Sequence, residues 1–215
     1  GFKEDGYLPE AVVNFLAFLG WNPGTEQELF TLEELVQSFD LKRVNKAGAK
    51  FDPEKAKWVK QQYFVKQDDA VIAKEFMTYK PELVSEKYNE AYFTKVVSLV
   101  KERAVFVNNL WDLSDFFFEA PTSYDAKALK KAIKEDTPEL IKELIQIIEP
   151  ITDFSSENLQ TVIKGWITAK EIGFGKVMQP LRLSLVGAMK GPDVFDIMSL
   201  LGKEETIKRL EAIIK

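Results

Sequence analysis

No segment of this 215-residue chain alternates apolar and polar side chains with a period of two. Alternation is what a half-buried strand requires, whereas a helix buries apolar residues three and four apart. The longest patterned stretch, about 82–118, has the second spacing, in Val96, Leu99, Val100, Val107 and Leu110. The chain is therefore expected to be all-α, a multi-helical protein of consecutive small helical units.

The helix boundaries follow from caps, prolines and glycines. Pro9 stands at a first-turn position, where a missing N–H costs nothing, and Ala11 to Leu19 follow before Gly20. Asn22-Pro23-Gly24 is a turn, and Thr31 with Glu34 forms a capping box ahead of Leu35, Val36 and Phe39. Asp52-Pro53-Glu54 opens a helix to about Lys66, and another runs from Asp69 to Tyr79. The stretch 82–118 reads as one long helix, broken by Ala120 to Ser123. Ala126 to Ile133 is short. Thr137-Pro138-Glu139 caps a helix to Glu149, and Ser155 or Ser156 starts one through Trp166. Gly173 and Gly175 flank the next break. The last helices are expected at about 176–187, 193–201 and 203–214, the first of them with Pro180 so early that it could begin at Gln179. Breaks near 67–70 and 150–155 divide the chain into units 1–70, 71–150 and 151–215.

The chain has no cysteine and no histidine. Disulfides, thiol nucleophiles and the usual zinc sites are excluded by the first absence, and every Ser-His or Cys-His arrangement by the second. No apolar run approaches the ~20 residues of a membrane span, and no basic-apolar leader opens the chain, so a cytoplasmic location is expected. Adjacent carboxylates such as Glu33-Glu34 and Asp68-Asp69 diverge on a helix and suit solvent better than catalysis. The glycine-bearing stretches 20–24 and 173–175 lack the Lys-Ser/Thr of a phosphate loop.

Net charge is −5, but residues 42–66 hold eight bases (Lys42, Arg43, Lys46, Lys50, Lys55, Lys57, Lys60, Lys66) against Asp52 and Glu54. A phosphate backbone could use such an excess, and so could a merely solvated surface. One other cation is out of place. On a wheel of about 100° per residue, Arg182 falls inside the apolar arc formed by Val177, Met178, Leu181, Leu185 and Val186. A guanidinium there must be paired, snorkel, or line a surface meant for an anion or a base. Phe116-Phe117-Phe118 is expected in the core. Phe195, by contrast, follows Gly191-Pro192-Asp193 at a helix start, a combination suited to single-stranded bases and their phosphates.

Three segments resemble one family, in order. Asp5-Gly6-Tyr7-Leu8-Pro9-Glu10-Ala11, Asn14-Phe15-Leu16 and Leu19-Gly20-Trp21 resemble the stretch after the lysine-serine loop of glutamyl-tRNA synthetases. Phe51-Asp52-Pro53-Glu54-Lys55 with Trp58 and Tyr63 resembles their stem-contact segment. Gln179-Pro180-Leu181-Arg182, Gly187, Gly191-Pro192, Phe195 and Leu200-Leu201-Gly202-Lys203-Glu204 resemble their anticodon-binding unit.

The resemblance implies a class I aminoacyl-tRNA synthetase that activates glutamate with ATP and transfers it to its tRNA. The His-Ile-Gly-His-like and Lys-Met-Ser-Lys-Ser-like motifs of that family are absent here. A C-terminal part is therefore implied, one that binds tRNA as a monomer and does not aminoacylate without the N-terminal catalytic half. ATP and magnesium belong to the full-length enzyme, and no cofactor is expected in these residues. Arg182, Gly191, Pro192 and Phe195 would meet anticodon bases, and Arg103, the sole arginine between 71 and 150, would be the candidate reader of the third. Lys46, Lys50, Lys55 and Lys57 would meet tRNA phosphates. Among the rivals, a bacterial glutaminyl enzyme would need β-barrels, and an independent helical enzyme would need a site the sequence does not display. A helical protein-interaction scaffold fits the composition equally well.

Overall fold

In the computed structural model, residues 7–45 and 51–215 are described. They form twelve α-helices: α1 (Pro9–Gly20), α2 (Leu32–Ser38), α3 (Pro53–Lys66), α4 (Asp69–Tyr79), α5 (Glu90–Val100), α6 (Asn109–Phe118), α7 (Ala126–Ala132), α8 (Thr137–Ile148), α9 (Ser156–Ala169), α10 (Phe174–Val186), α11 (Val194–Leu201) and α12 (Lys203–Ile213). Three short 3-10 turns, Leu41–Arg43, Pro81–Leu83 and Lys101–Arg103, complete the list of helical elements. Among the described residues no strand is formed; one antiparallel bridge joins Trp21 to Val44. The all-α expectation holds.

Several caps act as the sequence indicates. Thr31 accepts from the Glu34 amide at 3.2 Å while the Glu34 carboxylate accepts from the Thr31 amide at 2.8 Å, satisfying two orphan donors of α2. Asp52 accepts from the amides of Glu54 and Lys55 at 3.0 and 3.1 Å. Asn14, fully buried, clasps α1 to the following segment by donating to the Glu28 carbonyl and accepting from the Phe30 amide.

Other boundaries differ. The stretch 82–118 is not one helix. Asn89 accepts from the Tyr92 amide and starts α5 afresh, and Asn109 accepts from the amides of Val105 and Phe106 just before α6. Asparagine side chains thus offer the backbone alternative partners that interrupt an otherwise helical apolar pattern. Thr137 does not cap α8; it is the first helical residue, and its hydroxyl accepts from Lys134. Gly173 precedes α10 directly and Gly175 lies within it, so Pro180 sits inside a continuous helix rather than near its start.

The core unites the two helical units expected at 71–150 and 151–215. Buried residues from Phe64 to Leu210 belong to one apolar cluster, which includes Phe76, Phe93, Leu144, Ile163 and Leu181. Phe116, Phe117 and Phe118 are all within it. The first unit has smaller cores of its own: Ala11 and Phe15 of α1 against Ala56 and Val59 of α3, and Trp21 with Phe30 and Leu35. The buried guanidinium of Arg209, on α12, ties this structure together by donating to the carbonyls of Phe116 and Leu185, each at 2.7 Å, and by pairing with Glu205.

Candidate nucleic-acid interface

Helix α10 carries Arg182 beside a loop that doubles back along it. Gly187 ends the helix in the left-handed region, at φ +78°, and Gly191 turns the chain again at φ +97°. A side chain at Gly191 would meet the Phe116 ring at 3.2 Å, so the loop lies close against α6. Asp193 then caps α11 by accepting from the Phe195 amide at 2.8 Å. Lys190 fastens the loop from outside by donating to the Asp112 carbonyl at 3.0 Å.

Arg182 reaches into this loop. Its Nη1 donates to the carbonyls of Lys190 at 2.9 Å and Pro192 at 2.8 Å. The residue is half-buried, and burial lowers the pKa of the guanidinium; Asp193 opposes that shift and Arg103 adds to it. Among the described residues Arg182 makes no ion pair; it is satisfied in part by the clasp on two carbonyls. Beside it opens a cavity of about 430 Å³, lined by Gln160, Lys164, Met178, Gln179, Asp193 and Phe195 among others. Its wall offers amides, a carboxylate, an ammonium and a guanidinium next to apolar surface, the mixture that orients an unpaired base.

The other expected residues fall as follows. Gly191 and Pro192 form the loop Arg182 holds. Phe195 is 2% exposed, its ring part of the core and of the cavity wall. Arg103 is exposed on its 3-10 turn, with one long contact of 3.5 Å from Nη1 to the Leu99 carbonyl. It is near enough to Arg182 to depress the latter's pKa. A smaller cavity lies between α5 and α11, lined by Ser98 and Leu99 of the first and Asp196 and Ser199 of the second.

The lysines belong to a separate place, on and around α3. Lys46 and Lys50 lie outside the described residues. Lys57 is exposed, while Lys55 is partly covered and 2.5 Å from Glu28. Two cations of the 42–66 cluster are engaged within the chain, Lys60 buried and Arg43 still exposed. Lys60 is 2% exposed, its ammonium over the rings of Phe106 and Tyr7, and Arg43 donates to the Pro23 carbonyl. The basic footprint is therefore smaller than its composition.

Gln160 and Lys164 were not singled out by sequence reasoning, and Asp193 entered it only within the Gly191-Pro192-Asp193 helix start. The i, i+4 spacing of Gln160 and Lys164 on one helix face was the available signal. The carboxylate pairs do structural work: Glu34 closes a capping box and Asp68 caps α4. Among the described residues no group of carboxylates is arranged to hold a metal ion, and no helix is long and apolar enough to cross a membrane.

The chain belongs to the anticodon-binding-domain family, whose model matches residues 68–214. Residues 1–58 match the catalytic domain of class I tRNA synthetases (E and Q). Among its relatives, the glutamate–tRNA ligase of Flavobacterium johnsoniae is 60% identical over 214 residues, covering 100% of this chain and 42% of that protein. The glutamate–tRNA ligase of Flavobacterium psychrophilum is 61% identical over 216 residues with the same coverage. A crystal structure of a glutamate tRNA ligase from Elizabethkingia meningosepticum, in complex with its amino acid, is similar with a TM-score of 0.91 at 45% identity, covering 100% of this chain and 42% of that one. The chain thus spans about 42% of the length of the curated relatives it matches.

Proposed function

We propose that these residues are the tRNA-reading part of a glutamate–tRNA ligase, with the anticodon read around the Arg182 cavity and the tRNA stem followed by the unit that contains α3. The observation that carries this reading is the half-buried Arg182, held by two carbonyls at the edge of a cavity of nucleotide size. Two hydrogen bonds spent on positioning leave the rest of a planar, permanently charged donor fork for a base or a phosphate. Arg103 approaches the same surface and reads the third anticodon base. Gly191 and Pro192 shape the loop, and Phe195 packs behind a base rather than under it.

In this reading Lys57, and to a lesser extent Lys55, meet phosphates, as do Lys46 and Lys50. The three units, 1–70, 71–150 and 151–215, contact stem and anticodon in turn, and the protein works as a monomer in the cytoplasm. Glutamate activation with ATP and magnesium belongs to the remainder of the parent enzyme. The chain alone binds tRNA without charging it.

Binding of the chain to glutamate tRNA and to an anticodon-altered form, at two salt concentrations, tests the proposal. Tighter binding to the native anticodon is expected. Equal binding to both, with little salt dependence, would favour a protein-interaction scaffold.

A further inference from the structure

The turn that bears Arg103 is fastened to the first unit of the chain by its two preceding residues. The ammonium of Lys101 lies 2.6 Å from the Asp69 carboxylate and donates to the Gln67 carbonyl at 3.2 Å. Both partners lie where α3 passes into α4. The carbonyl of Glu102 accepts from the Gln61 side chain of α3 at 3.2 Å. Three residues beyond Arg103, Phe106 takes the Lys60 ammonium of α3 over its ring. These contacts run from the segment 101–106 to α3, to Gln67 at its C-terminal end, and to Asp69, the first residue of α4.

Within its own unit the turn is anchored by Val100 and Ala104, which are buried on either side. Those anchors fix Arg103 relative to α5, and Phe64 of α3 belongs to the same apolar cluster. The polar contacts around the turn add to that packing, and Lys101 makes the one that joins an ion pair to a hydrogen bond, its side chain 17% exposed against 28% for Asp69. The Asp69 Oδ1 atom is buried and has no hydrogen bond besides this ion pair among the described residues. Arg103 itself has one long contact and cannot hold its own position.

We infer that Lys101 is a positioning residue that keeps Arg103 in register with α3, so that a tRNA engaged on α3 presents its third anticodon base to Arg103. The inference rests on the proposed tRNA-reading function. A rigid connection between two contact points raises the effective concentration of the second once the first is made, and a loosened one forfeits that gain without removing any contact to the ligand.

The test compares Lys101→Met, Lys101→Arg, Arg103→Ala and the Lys101→Met/Arg103→Ala double variant in the full chain. Each is titrated with glutamate tRNA and with a form altered at the third anticodon base. A base contact of ordinary strength gives the unaltered chain a preference of roughly five- to a hundredfold. Lys101→Met is expected to lose most of that preference, Lys101→Arg to keep it, and the double variant to lose no more than Arg103→Ala. Hydrogen exchange at 67–69 and 101–106 should speed up in Lys101→Met while the α10–α11 amides stay protected. Full preference in Lys101→Met would overturn the inference, and so would an equal loss of affinity for both tRNAs. If Lys101→Met does not fold, Asp69→Asn removes the same ion pair and must give the same loss of preference. Absence of any preference in the unaltered chain would instead overturn the tRNA-reading function and this inference with it.

Discussion

Arg182 donates to the Pro192 carbonyl at 2.8 Å and so closes the loop from Gly187 to Asp193 against its own helix. The same nitrogen serves Lys190, which leaves the guanidinium's other edge uncommitted among the described residues. Structural and recognition roles are therefore combined in one side chain, and they are separable. Arg182→Ala should weaken binding to glutamate tRNA by about 1–3 kcal/mol if the free edge contacts a base, and reduce discrimination against an altered anticodon. It should also lower the melting temperature, because carbonyls lose hydrogen bonds worth about 1 kcal/mol each. Lower stability with unchanged discrimination would assign Arg182 to the loop alone. Isothermal titration beside a thermal melt distinguishes the outcomes.

The lysines of α3 make a graded prediction. Lys57 is exposed and makes no ion pair among the described residues, so Lys57→Ala should reduce the slope of log affinity against log salt by about 1. Lys55 shares its charge with Glu28 at 2.5 Å, so its replacement should change the slope less. Lys60→Ala should leave the slope unaltered while destabilising the first unit, since its ammonium sits over aromatic rings rather than facing solvent. Binding isotherms at several salt concentrations would show the ranking. An equal slope change for all three would mean that burial does not govern access.

Much of the fold was legible because helix ends announce themselves locally. The Thr31–Glu34 box, the Asp52 cap and the helix from Asp69 to Tyr79 follow from short-range chemistry and stand where expected. The stretch 82–118 reads as one helix because its apolar spacing persists across two breaks made by Asn89 and Asn109 side chains, whose effect depends on backbone geometry. Arg182 could be found because a charge in an apolar arc is conspicuous. Arg209 could not. Together with Glu205 it reads as an ordinary surface i, i+4 pair, and only tertiary packing reveals that it is buried against Phe116 and Leu185. Lys60 escaped for the same reason, since a lysine in a basic run gives no local sign of facing inward.

Two glycines should respond oppositely to alanine. At Gly187, φ is +78° and a Cβ would lie 2.9 Å from both the Pro121 side chain and the Ser123 carbonyl. The carbonyl of Gly187 also accepts from the Asp125 amide at 2.8 Å, so the clash cannot be relieved without disturbing the start of α7. Gly187→Ala should cost about 1–3 kcal/mol or more. Gly165 lies inside α9 with open space where a Cβ would be. Gly165→Ala should gain about 0.8–1.0 kcal/mol from helix propensity. Urea unfolding of both variants measures the contrast, and stabilisation at Gly187 would contradict the close approach of the 121–123 loop.

Alkaline pH should loosen the domain through its half-buried tyrosines. Tyr92 donates to the Phe117 carbonyl at 2.7 Å, and burial raises its pKa well above the ordinary value near 10, with Tyr88 pushing the same way and Arg209 opposing. Tyr63 and Tyr124 are raised too, chiefly by burial. A raised folded-state pKa means that the folded protein keeps its proton where the unfolded chain has lost it. Stability from these groups is therefore complete below pH about 10 and declines as pH climbs above it toward the folded values. Tyr92→Phe removes both the hydrogen bond and the titration. It should be less stable than the unaltered protein at neutral pH, by about 0.5–1.5 kcal/mol, and should lose less stability between pH 9 and 11. Melting temperatures across that range test the sign, and parallel curves for the two proteins would show that Tyr92 ionisation does not drive the alkaline transition.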